Sequence, residues 1–156
     1  MPSTLTTLLR TDSSNDDFQT LVTFLDGELK DRDGDDHPFY AQFNNLDKIK
    51  HVILAYADNH AVGCGAFRFY QKGVVEIKRM YVRGEYRGRG IASVVLTGLE
   101  SWAKESGFNT CILETGYNQP EAIALYKKSG YSVIPNYGPY EHVSNSVCYR
   151  KELTSA

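Results

Sequence analysis

The order of strand-like and helix-like segments constrains the fold of this chain more than any other feature. Three strand-like runs follow one another with only short turns between them, which is typical of an antiparallel meander. They are residues 51–57, 61–70 and 74–82. Helix, strand, helix, strand and strand follow, at residues 90–106, 110–115, 120–129, 131–134 and 146–151. A meander that continues into alternating helices and strands predicts a mixed α/β sheet with helices on its faces.

The N-terminal third predicts a short strand at residues 4–10 and an amphipathic helix at residues 13–30. The helix opens with Ser13-Ser14-Asn15, residue types that favour the N-cap position. Its apolar residues recur at helical spacing; they are Phe18, Leu21, Val22, Leu25 and Leu29. The remaining segments are an acidic break at residues 31–36 and a short second helix at residues 38–45. Residues 1–156 thus predict a single domain, with the order β-α-α-β-β-β-α-β-α-β-β.

The composition argues against several classes of protein. A chain of 156 residues is long enough to bury a core without disulfides or metals. Its net charge of −2 disfavours a dedicated nucleic-acid binder, and no stretch approaches the roughly 20 apolar residues of a membrane span. The N-terminus lacks the basic and apolar regions of a signal peptide. Three cysteines stand apart within apolar runs, which favours core positions in a reducing cytoplasm, and the scattered histidines predict no metal site.

Residues 82–92 join a strand to a helix and carry the strongest chemical signal. They contain three glycines and three arginines. Glycine lets the backbone approach a ligand closely, and the unpaired N–H groups at a helix start attract anions. The Gly-Lys-Ser/Thr ending of a P-loop is missing, and Ser93 stands where GxGxxG requires its third glycine. On these residues alone, a phosphate site of another kind and an ordinary solvated loop both stay open.

Arg87-Gly88-Arg89-Gly90-Ile91-Ala92 resembles the Arg/Gln-x-x-Gly-x-Gly/Ala signature of the GNAT acetyltransferases. Residues 75–82 look like the family's fourth strand, and residues 114–131 look like its fifth strand and fourth helix, so the resemblance covers roughly residues 50–151. It implies the GNAT fold, a mostly antiparallel sheet of six or seven strands with helices on both faces. It also implies an N-acetyltransferase that moves an acetyl group from acetyl-CoA to a primary amine by direct attack in a ternary complex.

The resemblance assigns cofactor binding to two blocks and one further residue. Backbone N–H groups of the signature hold the pyrophosphate, and a bulge in the fourth strand leaves main-chain groups available to the cofactor. Many members have asparagine seven positions before a motif tyrosine, where this chain has Gln119 and, one residue earlier, Asn118, and either side chain suits a bond to the pantetheine arm. The expected cofactor-binding residues are Met80, Tyr81, Val82, Arg87, Gly88, Arg89, Gly90, Ile91, Ala92 and Asn118.

Acetyl transfer to an amine also requires a proton acceptor and a proton donor. Glu76 is the expected base, because it lies eleven positions before Arg87, the offset of the catalytic glutamate in the histone-modifying members. The alternative is that Glu76 pairs with Lys78 or with a lysine of a neighbouring strand. Tyr126 matches the tyrosine of the family's Leu-Tyr-x-x-x-Gly-Phe motif and is expected to protonate the CoA sulfur. A purely structural tyrosine, packed against the sheet, is the alternative.

The acceptor is not specified by the sequence. Residues 31–40 combine aspartates with Phe39 and Tyr40, a composition that suits a cationic amine as well as a solvated loop. Residues 137–141 form a second aromatic segment that lines the opposite wall or covers the sheet edge. A non-catalytic acyl-CoA-binding or interaction module is the main alternative function, a nucleic-acid-binding domain using the arginine loop is a weaker one, and homodimerisation stays open.

Overall fold

The computed structural model describes residues 6–34 and 48–153. The predicted second helix at residues 38–45, and most of the acidic and aromatic acceptor segment, lie outside these ranges. The strands are β1 (Thr7–Thr11), β2 (His51–Ala57), β3 (His60–Gln71), β4 (Val74–Val82), β5 (Thr110–Gly116), β6 (Ser132–Ile134) and β7 (Ser146–Glu152). The helices are α1 (Asp16–Asp33), α2 (Ile91–Glu105) and α3 (Pro120–Lys128), with single 3-10 turns at Gly84–Tyr86 and Gly138–Tyr140.

The first helix is shifted by three residues from its predicted bounds. Asn15 is the N-cap, and its side chain accepts hydrogen bonds from the N–H groups of Asp17 and Phe18. The helix continues through Asp33, although residues 31–36 were predicted to break it. Arg32 extends it, because its guanidinium bonds Glu28 one turn earlier at 2.9 Å and a basic residue is favourable near a helix C-terminus. The predicted break therefore begins too early.

The predicted sheet is confirmed, with seven strands in the order β1-β2-β3-β4-β5-β7-β6. Every pairing is antiparallel except that of β4 with β5. The β2–β3 turn is shorter than predicted, because only Asp58 and Asn59 form it, both at positive φ. Such residues tolerate the left-handed conformation that a two-residue hairpin requires. The result is a long meander that ends at β4.

The parallel strands β4 and β5 separate after three residue pairs, from Val74 with Thr110 to Glu76 with Ile112. Arg79 has φ +60, and the β3–β4 register shifts between Cys64 and Ala66, which together mark a β-bulge. The bulge bends β4 away from β5 and opens a V-shaped cleft in the middle of the sheet. Among the described residues, no strand pairs with β4 beyond Glu76 on that side.

The helices cover both faces of the sheet, as predicted. Alternate residues of β2 point to opposite faces: Val52 and Leu54 join the apolar cluster under α1, whereas Ile53 joins the larger cluster under α2. Tyr126 of α3 belongs to that larger cluster as well, so α2 and α3 share a face. The cleft between β4 and β5 is therefore bordered by α1 on one side and by α3 on the other. In the part of the chain that the structure describes, no helix combines the length and the apolar character needed to cross a membrane.

Candidate active site

Two adjoining cavities occupy the cleft between β4 and β5. The larger, of about 530 Å³, lies beside the loop at residues 82–92 and the start of α2. The smaller, of about 130 Å³, lies between the diverging strands, where Lys78 of β4 and Glu114 of β5 are among its lining residues. Both cavities share the residues at their junction, which are Leu25, Met80, Gln119, Ala122 and Tyr126.

The start of α2 presents its backbone to the larger cavity. Gly88 and Gly90 both have positive φ, +79 and +80, which a residue with a side chain adopts only under strain. Gly90 is the N-cap of α2 and supplies no side chain to bond the first-turn N–H groups. Gly88, Gly90, Ile91 and Ala92 all line the larger cavity. Unpaired N–H groups at a helix N-terminus form an anion site, so the loop has the geometry predicted for a phosphate cradle.

Arg87 also lines the larger cavity and is held in place by two contacts. Its Nε donates to the Val82 carbonyl at 2.8 Å, and its Nη2 lies 2.7 Å from a carboxylate oxygen of Glu28 in α1. The hydrogen bond to Glu28 raises the pKa of the guanidinium. Arg89 is oriented differently: its guanidinium stacks over the Tyr86 ring at 5.0 Å, and it is not among the lining residues of the two cavities.

The three predicted β4 positions, Met80, Tyr81 and Val82, all line the larger cavity. Met80 lies at the junction of the two cavities. Tyr81 is paired with Cys64 of β3, and the Arg83 N–H donates to Val62 of the same strand. Because backbone groups alternate along a strand, those of Met80 and Val82 point to the side from which β5 has diverged. An N–H group on that side suits a bound carbonyl, as an oxyanion site requires.

Tyr126 lies where the two cavities meet and is only 5% exposed. Its ring packs against Tyr131 and Tyr149, with centroid distances of 5.7 and 6.0 Å. Burial raises its pKa well above the usual value, so the hydroxyl is protonated at every physiological pH. The structural reading of this tyrosine and the proton-donor reading are thus compatible, because the ring is packed while the residue still borders the cleft.

Glu76 is not among the residues that line either cavity. It is 1% exposed and accepts hydrogen bonds from Arg68 Nε at 2.9 Å and from the Tyr137 hydroxyl at 2.6 Å. The sequence alternative of a pairing with a neighbouring strand is therefore correct in kind, although the partner is an arginine and not a lysine. Both carboxylate oxygens are engaged, and the base predicted from the sequence is turned away from the cleft.

Glu114 is the carboxylate that does line the smaller cavity, and sequence reasoning gave it no role. It lies on β5, where the Ser146 hydroxyl of β7 donates to it at 2.8 Å. The signal that identifies it is a single acidic residue at the end of the apolar run Cys111-Ile112-Leu113, on the strand that borders the cleft. Glu114 is half-buried there, and a charge in such a position is costly unless it is paired or hydrogen-bonded.

Asn118 and Gln119 lie differently with respect to the two cavities. The Asn118 side chain donates to the Arg32 carbonyl at 3.2 Å and is not among the cavity-lining residues. Gln119 instead lines both cavities and accepts a hydrogen bond from Arg32. Arg32 also bonds Glu121 at 2.9 Å, so it bridges α1 to α3 at the rim of the larger cavity.

The second aromatic segment covers the sheet and does not line the cleft. Tyr140 is 2% exposed and packs against Cys148 of β7, and Tyr137 packs beside it while bonding Glu76. Of the two readings of residues 137–141, the structure supports the cover over the far end of the sheet. The cover contacts the cleft at Lys78, whose ammonium lies 3.4 Å from the Tyr140 hydroxyl.

Comparison with known proteins identifies the family to which this architecture belongs. The model of the acetyltransferase (GNAT) family matches residues 13–131, and the chain therefore belongs to that family. The predicted fold and family are both confirmed.

The individual proteins that resemble this chain share only a minority of its residues, as three examples show. An "IAA acetyltransferase" of Azospirillum brasilense is 37% identical over 56% of this chain, and the match spans 58% of that protein's length. A crystal structure from Klebsiella pneumoniae, provisionally described as an acyl-CoA N-acyltransferase, is 27% identical and covers 96% of this chain and 99% of its own, with a TM-score of 0.81. The PaiA N-acetyltransferase of Thermoplasma acidophilum, solved with coenzyme A, shares the fold at 17% identity and a TM-score of 0.66, over 95% of this chain and 99% of its own.

Proposed function

We propose that the chain is an N-acetyltransferase that transfers the acetyl group of acetyl-CoA directly to a primary amine. The observation that carries the proposal is the junction of the two cavities at Tyr126. A donor in the larger cavity and an acceptor in the smaller one meet beside a buried, protonated hydroxyl. Such an arrangement suits a direct transfer, in which the two substrates are held together for attack.

The larger cavity suits acetyl-CoA along its whole length. The pyrophosphate is placed on the N–H groups at the start of α2, with Arg87 beside it. The pantetheine arm then follows the separated edge of β4, past Val82 and Tyr81, towards Met80. This path brings the thioester to the junction, where a β4 N–H group stabilises the oxyanion. PaiA, the relative of the same fold solved with coenzyme A, supports the choice of donor.

The acid–base chemistry is assigned to Glu114 and Tyr126. An alkylammonium of ordinary pKa, about 10.4, first loses a proton to Glu114, and the neutral amine then attacks the thioester carbonyl. The C–N bond forms and the C–S bond breaks, while the Tyr126 hydroxyl protonates the departing sulfur. The second proton of the nitrogen returns to the tyrosine through solvent. The products are the amide, the CoA thiol and one proton released from Glu114.

In the same proposal, Glu76 has a structural role next to the site. Its carboxylate fixes Arg68 and Tyr137 on the face of β4 that carries Lys78. The role of base predicted for Glu76 is tested by comparing Glu114→Gln with Glu76→Gln. We expect Glu114→Gln to lower kcat/KM at least 100-fold with unchanged acetyl-CoA affinity. We expect Glu76→Gln chiefly to lower the melting temperature. The reverse ranking would restore Glu76 as the base.

The test of the activity is thiol release from acetyl-CoA across a panel of amines, with mass spectrometry of the acceptor. An enzyme acetylates at least one amine, whereas a non-catalytic acyl-CoA-binding module binds acetyl-CoA and acetylates none. Salt-dependent binding to DNA or RNA would instead favour the nucleic-acid reading.

The three free, buried cysteines support a reducing compartment such as the cytoplasm.

A further inference from the structure

The smaller cavity carries charges of both signs, and this points to the class of acceptor. Three charged residues line it: Lys78, Arg79 and Glu114. Arg79 already has a partner, since its Nη1 lies 2.6 Å from the Asp26 carboxylate of α1. The charges that distinguish this cavity are therefore the ammonium of Lys78 on β4 and the carboxylate of Glu114 on β5.

Lys78 is a buried cation without a close counter-charge. It is 9% exposed, and its ammonium contacts the hydroxyl of Tyr140 and lies 5.9 Å from the centre of that ring. Within residues 6–34 and 48–153, no carboxylate forms an ion pair with it. Glu76 and Glu114 act on it through electrostatic attraction without an ion pair, and each accepts a hydrogen bond from another residue, Arg68 and Ser146 respectively.

A buried ammonium in this state is costly, and burial lowers the pKa of Lys78. An anionic group of a ligand in the cavity would offset that cost. Glu114, on the diverging strand opposite, offers the complementary charge to an ammonium. The pair therefore matches a molecule that carries both charges, and it disfavours a molecule that carries two positive ones.

We propose that the acceptor is an α-amino acid or a close analogue, whose carboxylate binds Lys78 while its amine is directed to Glu114. This inference rests on the proposed function and deepens it. The volume of about 130 Å³ equals the space of about four liquid water molecules, which suits the short head of an amino acid. It differs from the cationic acceptor that the aspartates of residues 31–36 suggest from the sequence.

The first experiment compares matched acceptors with the unmodified protein. Thiol release is measured with L-amino acids, with their carboxamides and with a short diamine such as cadaverine. We expect kcat/KM for the free carboxylates to exceed that for the carboxamides and the diamine at least tenfold. Equal or better turnover of the carboxamides or the diamine overturns the inference and leaves the N-acetyltransferase activity standing.

The second experiment tests the anchor itself. Lys78→Met should raise KM for the amino acid at least tenfold, leave the carboxamide unchanged and preserve acetyl-CoA affinity, and Lys78→Arg should restore part of the loss. Lys72→Met removes a lysine from the exposed β3–β4 turn and is the matched control. An equal loss with both acceptors would assign Lys78 a structural role and contradict the proposal.

A third measurement separates failure of the inference from failure of the proposed function. Calorimetry with CoA-saturated protein compares an N-acetyl-L-amino acid with its carboxamide. If no amine is acetylated while acetyl-CoA binds, the proposed enzyme activity fails. Tighter binding of the carboxylate then still supports the site, and equal binding of the two compounds refutes it.

Discussion

Replacing Tyr126 by phenylalanine removes one hydroxyl from the junction of the two cavities and changes little else. The ring is 5% exposed and its packing against Tyr131 and Tyr149 is retained. None of the hydrogen bonds between described residues involves this hydroxyl, so its loss leaves no protein group unsatisfied. We therefore expect the free energy of unfolding to change by less than about 1 kcal/mol.

The kinetic effect should be far larger. Loss of a proton donor to the leaving group costs about 10²- to 10⁴-fold in rate, which is about 3 to 5 kcal/mol of transition-state stabilisation. Thiol release measured at saturating acetyl-CoA should show this drop in kcat, while calorimetry gives an acetyl-CoA affinity within about threefold of the unmodified protein. We expect the effect in kcat and not in the affinity, because acetyl-CoA is bound by the loop and by β4 and not by the Tyr126 hydroxyl.

Tyr131→Phe is the matched control, because its ring touches that of Tyr126 while its hydroxyl donates to Glu100 at 2.8 Å. This variant removes one donor from the partly buried Glu100 carboxylate, which keeps its ion pair with Lys151, and should lose about 1 to 3 kcal/mol of stability with kcat retained. If Tyr126→Phe kept more than a tenth of the turnover, the hydroxyl would not be the proton donor. If it lost acetyl-CoA binding as well, the assignment of a purely catalytic role would be wrong.

Three further predictions concern packing, charge and burial. Gly65→Ala should destabilise the protein by about 1 to 3 kcal/mol in chemical denaturation, because its Cβ would come within 2.9 Å of the side chains of Met80, Val95 and Leu99. Gly27→Ala, at a helical position with open space around it, should be neutral or stabilising. Glu28→Gln should tighten acetyl-CoA binding about fivefold in low salt, since a carboxylate that lines the larger cavity repels the pyrophosphate by about 1 kcal/mol in water and the substitution also releases Arg87; weaker binding would show that Glu28 serves only to orient the arginine. The native protein should release no chromophore with a thiol reagent at pH 8, because burial raises the pKa of all three thiols above that pH and keeps them protonated, and rapid release would contradict their burial. These thiols, with their pKa values, are Cys64 (about 12), Cys111 (about 12) and Cys148 (about 11).

The sequence predicted the element order and the glycine-rich bend before α2 well, because both depend on local signals. Apolar periodicity identified the helices and strands, and glycines at positions 88 and 90 identified a backbone that requires positive φ. The loop proposed to bind acetyl-CoA is one continuous stretch of sequence, so its conformation depends on residues within that stretch. Arg89 is the exception, since its side chain stacks on Tyr86 and only the backbone at this position belongs to the loop.

The positions of the charged side chains around the cleft were harder to predict, because they depend on contacts across the sheet. The offset of Glu76 from Arg87 specifies a place on β4 but not the neighbours of the carboxylate. Arg68 and Tyr137, eight residues before and 61 residues after, occupy both of its oxygens. Glu114 reaches the cleft only because β4 and β5 separate after Glu76, a consequence of the bulge at Arg79. Neither the contacts of Glu76 nor the separation of β4 from β5 can be predicted from the local sequence.

The central claim is that the cleft holds acetyl-CoA with its pyrophosphate on the loop at residues 82–92. A calorimetric titration of acetyl-CoA against S-acetylpantetheine, which lacks the nucleotide and the pyrophosphate, tests it most directly. We expect acetyl-CoA to bind with a stoichiometry of one, and S-acetylpantetheine to bind at least 30-fold more weakly. Equal affinities would mean that the loop does not hold the phosphates, and the absence of acetyl-CoA binding would contradict the account as a whole.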